Sequence, residues 1–90
     1  MVKLCVPTMC FKVKVKPASV MGDNIALHGL LPLNQLPQHL RGKIPLDEVW
    51  VRKDVYARQK RRKQVLGHER RELTLMTKGV PYPKAHKRAR

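Results

Sequence analysis

From Met9 to Lys16 apolar and basic residues alternate, with Phe11, Val13 and Val15 on one side of an extended chain and Lys12, Lys14 and Lys16 on the other. A period of two is that of a half-buried strand, and the lysines give it a charged outer face. Val2 to Val6 is also apolar, with Lys3 interposed, before Pro7 breaks it, so residues 1–16 predict one strand or a hairpin. Pro17 ends that pattern, and residues 17–46 show no period. Gly22-Asp23 marks a turn, and Asn24 to Leu31 reads as a strand or a helical turn. Pro32, Pro37 and Pro45 exclude a long helix, since an interior proline removes a hydrogen bond and clashes with the preceding turn. Leu36 to Arg41 can form one short helical turn stopped by Gly42. The segment is expected to be an irregular, proline-rich connection. Residues 47–53 return to a strand pattern, with Val49 and Val51 facing one way and Trp50 and Arg52 the other.

After Asp54 the period changes to that of a helix. At about 100° per residue, Val65, Leu66, Leu73 and Met76 share one face, and Lys60, Lys63, Gly67, Arg70, Arg71, Thr74 and Lys78 the opposite one. This predicts a basic helix over 55–78, with Asp54 as N-cap and Gly79 at the C′ position. A short basic helix or tail follows over 81–90, started by Pro81 or Pro83, because a first-turn proline forfeits no needed hydrogen bond. The expected architecture is a single small α+β domain of residues 1–90. A small N-terminal hairpin or sheet of about three strands packs on the long C-terminal helix, which the short helix follows.

Two residues break the helical pattern. Glu69 and Glu72 lie within the apolar arc, on the side that should be buried, and His68 lies at its edge one turn before Glu72. In the short helix Tyr82, Ala85 and Ala89 form the apolar side, and His86 falls among them. If the Gly79 turn folds this helix back, His86 meets both glutamates. A buried carboxylate must be paired, protonated or bound to a metal. One reading is a polar network, with Arg58, Arg61 and Arg62 on the same side of the helix and His86 donating to a glutamate. The other is a metal site: His68 and Glu72 at i and i+4, His86 as third ligand, and Glu69 as a base on a water.

The run Val65-Leu66-Gly67-His68-Glu69-Arg70-Arg71-Glu72-Leu73 resembles the active-site helix of the zincin metallopeptidases, H-E-x-x-H, with glutamate in place of the second histidine. Glu48-Val49-Trp50-Val51-Arg52 resembles the strand before that helix, and His86 the third ligand from a following helix. The resemblance covers residues 48–86. It implies zinc held by His68, Glu72 and His86, catalysis by Glu69, and a zinc-dependent hydrolase.

Charge adds a different expectation. The chain has 20 Lys+Arg against 6 Asp+Glu, a net charge of +14, and it is uneven: residues 1–40 hold four cations and one acid, residues 41–90 sixteen and five. Such a density repels itself unless something anionic neutralises it, and nucleic acid is the default partner. The residues expected at a phosphate backbone are Arg52, Lys53, Arg58, Lys60, Arg61, Arg62, Lys63, Arg70, Arg71, Lys84, Lys87, Arg88 and Arg90. With few aromatics for stacking bases and no Walker A, C2H2 or leucine-zipper pattern, contacts to DNA or RNA should be to backbone with little sequence readout. A place in a larger nucleoprotein assembly is compatible with this, and catalysis is not required by it. An interfacial membrane role is disfavoured, since the long helix lacks a Trp/Phe/Leu-rich face. Cys5 and Cys10 are too few for a disulfide framework and read as buried or idle thiols. With no long apolar segment near the start, this predicts a cytoplasmic, reducing compartment. His28 and His39 stand alone and read as packing or surface residues.

Overall fold

The strand alternation and the two-residue Pro7-Thr8 turn produce the first piece of structure. In the computed structural model, which describes residues 2–90, β1 (Lys3–Val6) and β2 (Met9–Lys16) form an antiparallel hairpin. Leu4, Val6, Phe11 and Val13 point inward from it and are buried. Val15, expected beside Phe11 and Val13, is exposed, because the strand runs past the edge of the core there. The hairpin register sets Cys5 opposite Cys10 with their Cα atoms 4.0 Å apart, and the two form a disulfide. They are exposed and bonded rather than buried thiols, so cysteine usage no longer argues for a reducing compartment.

Residues 17–46 are less irregular than their lack of period suggested. They contain a single turn of helix, α1 (Ala18–Met21), a short strand, β3 (Ala26–His28), and two 3-10 turns at Leu33–Gln35 and Gln38–Leu40. Each proline before a 3-10 turn has extended backbone, and Gly42 (φ 74°) ends the second. β4 (Glu48–Arg52) then inserts between β2 and β3. The sheet therefore has four strands rather than about three, in the order β1-β2-β4-β3, with β2 and β4 parallel and the other pairs antiparallel.

This placement buries β4 on both faces. Val49 and Val51 join Leu4, Val6, Phe11, Val13, Val55 and Leu73 in one core between sheet and helices. Trp50 faces the other way, into a second core built by Met21, Leu27, Leu36, Leu40 and Ile44 from the connecting segment. Each such side chain, fully buried, contributes about 1.5–3 kcal/mol of apolar transfer free energy. In the register of β3 against β4, Ala26 is opposite Val51 and His28 opposite Val49. Directly opposed residues share a face, so His28 points to the helix side of the sheet.

The long helix differs from expectation at its start. α2 (Lys53–Ala57) ends at Arg58, whose backbone is extended (φ −94°, ψ 110°), and α3 runs from Gln59 to Met76. One straight helix over 55–78 would be about 36 Å long at 1.5 Å per residue, longer than the 32 Å maximum extent of the molecule. The break lets α2 fold onto the sheet with Val55 buried, while α3 continues across it. Asp54 lies in the first turn of α2 rather than at its N-cap, which is Arg52, and the two are paired at 2.6 Å.

Gly79 acts as expected. With φ 96° it closes α3 through bonds from its own N–H to the Met76 carbonyl and from Val80 N–H to the Leu75 carbonyl, the paired pattern of a Schellman stop. The chain reverses, and α4 (Tyr82–Ala89) packs back along α3 with Ala85 and Ala89 buried at the contact. Pro81 and Pro83 lie at its entrance.

Candidate metal centre

The antiparallel α3–α4 pair brings together the residues that broke the helical pattern. Glu72 and Glu69 are 2% and 5% exposed. Three histidines reach Glu72. His28 Nε2 is 3.0 Å from Oε1; His68 Nε2 and His86 Nδ1 are 3.0 and 3.2 Å from Oε2. Of the polar-network reading, the His86 contact to a glutamate is present, but the neutralisation by Arg58, Arg61 and Arg62 is not. Arg62 lies over the Tyr56 ring, and among the described residues none of the three forms an ion pair with either glutamate.

His28, expected to be an isolated packing residue, is therefore part of the site. Its position 44 residues before Glu72 carries no sequence spacing from which the contact can be read; only the β3–β4 register puts it under α3. His39 stays outside, exposed and bonded to the Val20 carbonyl.

The second nitrogen of each ring determines its tautomer. His68 Nδ1 is 3.2 Å from the carbonyl oxygen of Ala89, which can only accept, so Nδ1 carries the proton. The same carbonyl accepts bonds from Arg71 Nε and Nη2 at 3.2 and 3.1 Å, which ties the end of α4 to α3. In its charged form the ring donates from Nε2 to Glu72 Oε2 at 3.0 Å; in its neutral form it turns a lone pair there. Two lone pairs at that distance repel unless a cation, a proton or a metal, lies between them. The His86 ring stacks on Tyr82 at 5.2 Å and meets His68 edge-on at 5.1 Å.

The carboxyl groups differ in proton affinity. Burial works to raise Glu72, but hydrogen bonds from His28 and His86 outweigh it and hold this carboxyl below its ordinary value. Glu69 has no such partner; burial first, then the charge of Glu72, push it up to about 8. Burial, followed by both glutamates, also raises Tyr82, which keeps its phenol neutral. Glu69, Glu72, His68, His86 and Tyr82 all line a solvent-open cavity of about 530 Å³, whose far wall includes Ala26 and Leu27 of β3.

Two groups here have donor atoms close enough to hold a metal ion: His68, Glu72 and His86, and His28, Glu69 and Glu72. The cavity separates them. All three members of the first group line it, which leaves a coordination position open, whereas His28 does not. The spacing of the first group is also compatible with a metal ion. Ligands about 2.0–2.1 Å from a tetrahedral zinc lie about 3.3 Å from one another, and the two short contacts to Oε2 are 3.0 and 3.2 Å.

The basic residues expected at a phosphate backbone fare unevenly. Arg52 is held by Asp54 and by the Gly22 carbonyl, Arg71 by Ala89, and Arg62 by Tyr56. Lys53, Arg58, Lys60, Lys63, Arg70, Lys84, Lys87, Arg88 and Arg90 are exposed, and Arg61 lines the cavity mouth. No described helix is long and apolar enough to cross a membrane. Comparison with known proteins finds no matching family model, no matching curated protein and no matching solved structure.

Proposed function

We propose that the chain is a zinc-binding protein and a zinc-dependent hydrolase, with His68 Nε2, Glu72 Oε2 and His86 Nδ1 as ligands. The observation that carries this reading is the placement of the His68 ring. It is oriented by a backbone carbonyl at Nδ1, as metal-ligating histidines commonly are, and its Nε2 is aimed at a carboxylate oxygen beside an open cavity. Two histidines and one carboxylate with a fourth position open are a donor set of catalytic zinc. Bound there, zinc would supply Lewis-acid polarisation and a more acidic water. Glu69, next to His68 on the same helix and lining the cavity, would serve as the base. Tyr82 can donate a hydrogen bond to developing negative charge.

The test is elemental analysis of protein purified without an affinity metal, then reloaded with zinc. One zinc per chain is expected, lost in Glu72→Ala and in His86→Ala and kept in Glu69→Gln. A wild-type chain that takes up no zinc would end this reading and leave the cluster as a buried polar network.

The charge favours a second, compatible reading: binding to the phosphate backbone of nucleic acid, alone or in a nucleoprotein assembly. Among the described residues only Lys12 and Arg52, of all the lysines and arginines, reach a carboxylate, so the exposed cations of α3 and α4 are free to meet an anionic partner.

A further inference from the structure

We infer that His28 is a positioning residue for the centre just proposed: it holds one oxygen of Glu72 from behind so that the other oxygen alone is presented to the metal. The inference rests on the zinc reading and adds a residue from outside the two helices.

Glu72 carries two oxygens with different surroundings. Oε2 faces His68 and His86 on the cavity side; Oε1 faces His28, which is fully buried at the end of β3 and does not line the cavity. The His28 ring has one partner only. Nε2 is 3.0 Å from Oε1, and Nδ1 is the single buried side-chain nitrogen or oxygen without a hydrogen-bond partner among the described residues. A proton on Nδ1 would be a buried, unsatisfied donor, which costs about 1–3 kcal/mol. A proton on Nε2 is satisfied by Oε1. The ring is therefore the Nε2–H tautomer, a fixed single donor with no lone pair turned toward the carboxylate.

That donor settles how Glu72 can bind a cation. An oxygen already accepting a short hydrogen bond is a poor second ligand, so coordination is through Oε2 alone. The carboxylate plane is also held in the orientation that points Oε2 between His68 and His86. The local backbone serves this placement. His28 is the last residue of β3, and Gly29 follows it because a β-carbon there would overlap the Pro45 carbonyl. The close approach of these two backbones fixes the height of the ring under α3.

The experiment loads protein labelled with ¹⁵N-histidine with cadmium-113, a spin-active stand-in for zinc. Scalar coupling to cadmium is expected at His68 Nε2 and His86 Nδ1 and none at His28, whose Nε2 keeps its proton. Coupling at His28 would make it a ligand and overturn the inference, while no coupling at any histidine would overturn the zinc reading itself. Chelator competition on variants gives the magnitude. His28→Leu should bind zinc about 10–100-fold more weakly, and His28→Gln, which restores a donor at the same reach, should recover most of that loss. Equal zinc affinity in His28→Leu, at an unchanged metal-free melting temperature, would refute positioning. If His28→Leu does not fold, His28→Gln and the wild-type spectrum decide: positioning requires near-normal affinity in the first and a protonated, uncoupled Nε2 in the second.

Discussion

Glu69 is a carboxyl group on the inner face of a helix without a cationic partner, and its chemistry follows from that isolation. Its one ion-pair contact among the described residues, to His68 Nε2, is 3.9 Å long, and burial with the neighbouring Glu72 raises its proton affinity from an ordinary 4.5 to about 8. In the metal-stripped protein this has a definite sign. Between the two values the folded chain holds a proton that the unfolded chain has released. Stability therefore falls as pH rises from about 4.5 to about 8, by on the order of a few kcal/mol for this group. His28, His68 and His86 face the same cluster, so the informative quantity is a difference. In chelator, urea unfolding at pH 5 and pH 8 should show wild type losing more stability than Glu69→Gln, with the variant the more stable at pH 8. An equal loss in both would mean that Glu69 is ionised in the fold. A cation held by His68, Glu72 and His86 would reverse the balance and favour the carboxylate that a general base requires.

At the scale of elements, the centre depends on one reversal. α3 supplies His68, Glu69 and Glu72, and α4 returns His86 and Tyr82 to the same cavity, so the angle of the Gly79 stop sets where the third proposed ligand lies. Gly79 has φ 96°, a region in which a side chain strains the backbone whatever the surrounding space. Gly79→Ala is expected to cost about 1–2 kcal/mol of stability and to weaken zinc binding in addition, because α4 must shift to relieve the strain. Thermal melting and chelator competition on the same sample check both parts; a destabilised variant with unchanged zinc affinity would show that α4 is positioned by its packing on α3 and not by the turn. The broken helix start belongs to this scale too. The residue pattern of 55–78 is continuous and Arg58 is neither proline nor glycine, so no local signal marks the bend; it appears only in the fold, where α2 packs on β2 and β4 and α3 on β1.

The whole molecule carries +14 on 90 residues, almost all of it without internal compensation. Charge of this density acts through counterion release, which depends on salt and very little on sequence. Binding to duplex or structured RNA is expected to weaken by orders of magnitude between 50 and 200 mM salt, by roughly 10³–10⁵ for six to ten phosphate contacts, with little preference among sequences. Titrations by fluorescence anisotropy at several salt concentrations measure the slope. Affinity that stays flat over this range would remove nucleic acid as a partner. Paired substitution of Lys84 and Lys87, exposed on α4, should lessen the slope without touching zinc content, which separates the two functional readings.

Residue pattern alone determined the strands of 9–16 and 47–53, the inner face of the long helix, its glycine stop and a short helix after it. It also exposed the anomaly of Glu69, Glu72 and His86, because charge on a buried arc is visible in a helical wheel. These are local properties, set by side-chain spacing and by the backbone freedom of glycine and proline. Tertiary structure decided the rest. The strand at 26–28 is too short to show a period, yet pairing with β4 makes it one edge of the sheet. The disulfide follows from the hairpin register, not from the number of cysteines. His28 enters the centre across 44 residues of chain, and the histidines take the place at Glu72 that the nearby arginines were expected to fill. Long arginine side chains two or more turns away can turn outward to water at little cost, whereas a histidine fixed on a strand beneath the helix has nowhere else to donate; which of them meets a buried acid is settled by packing.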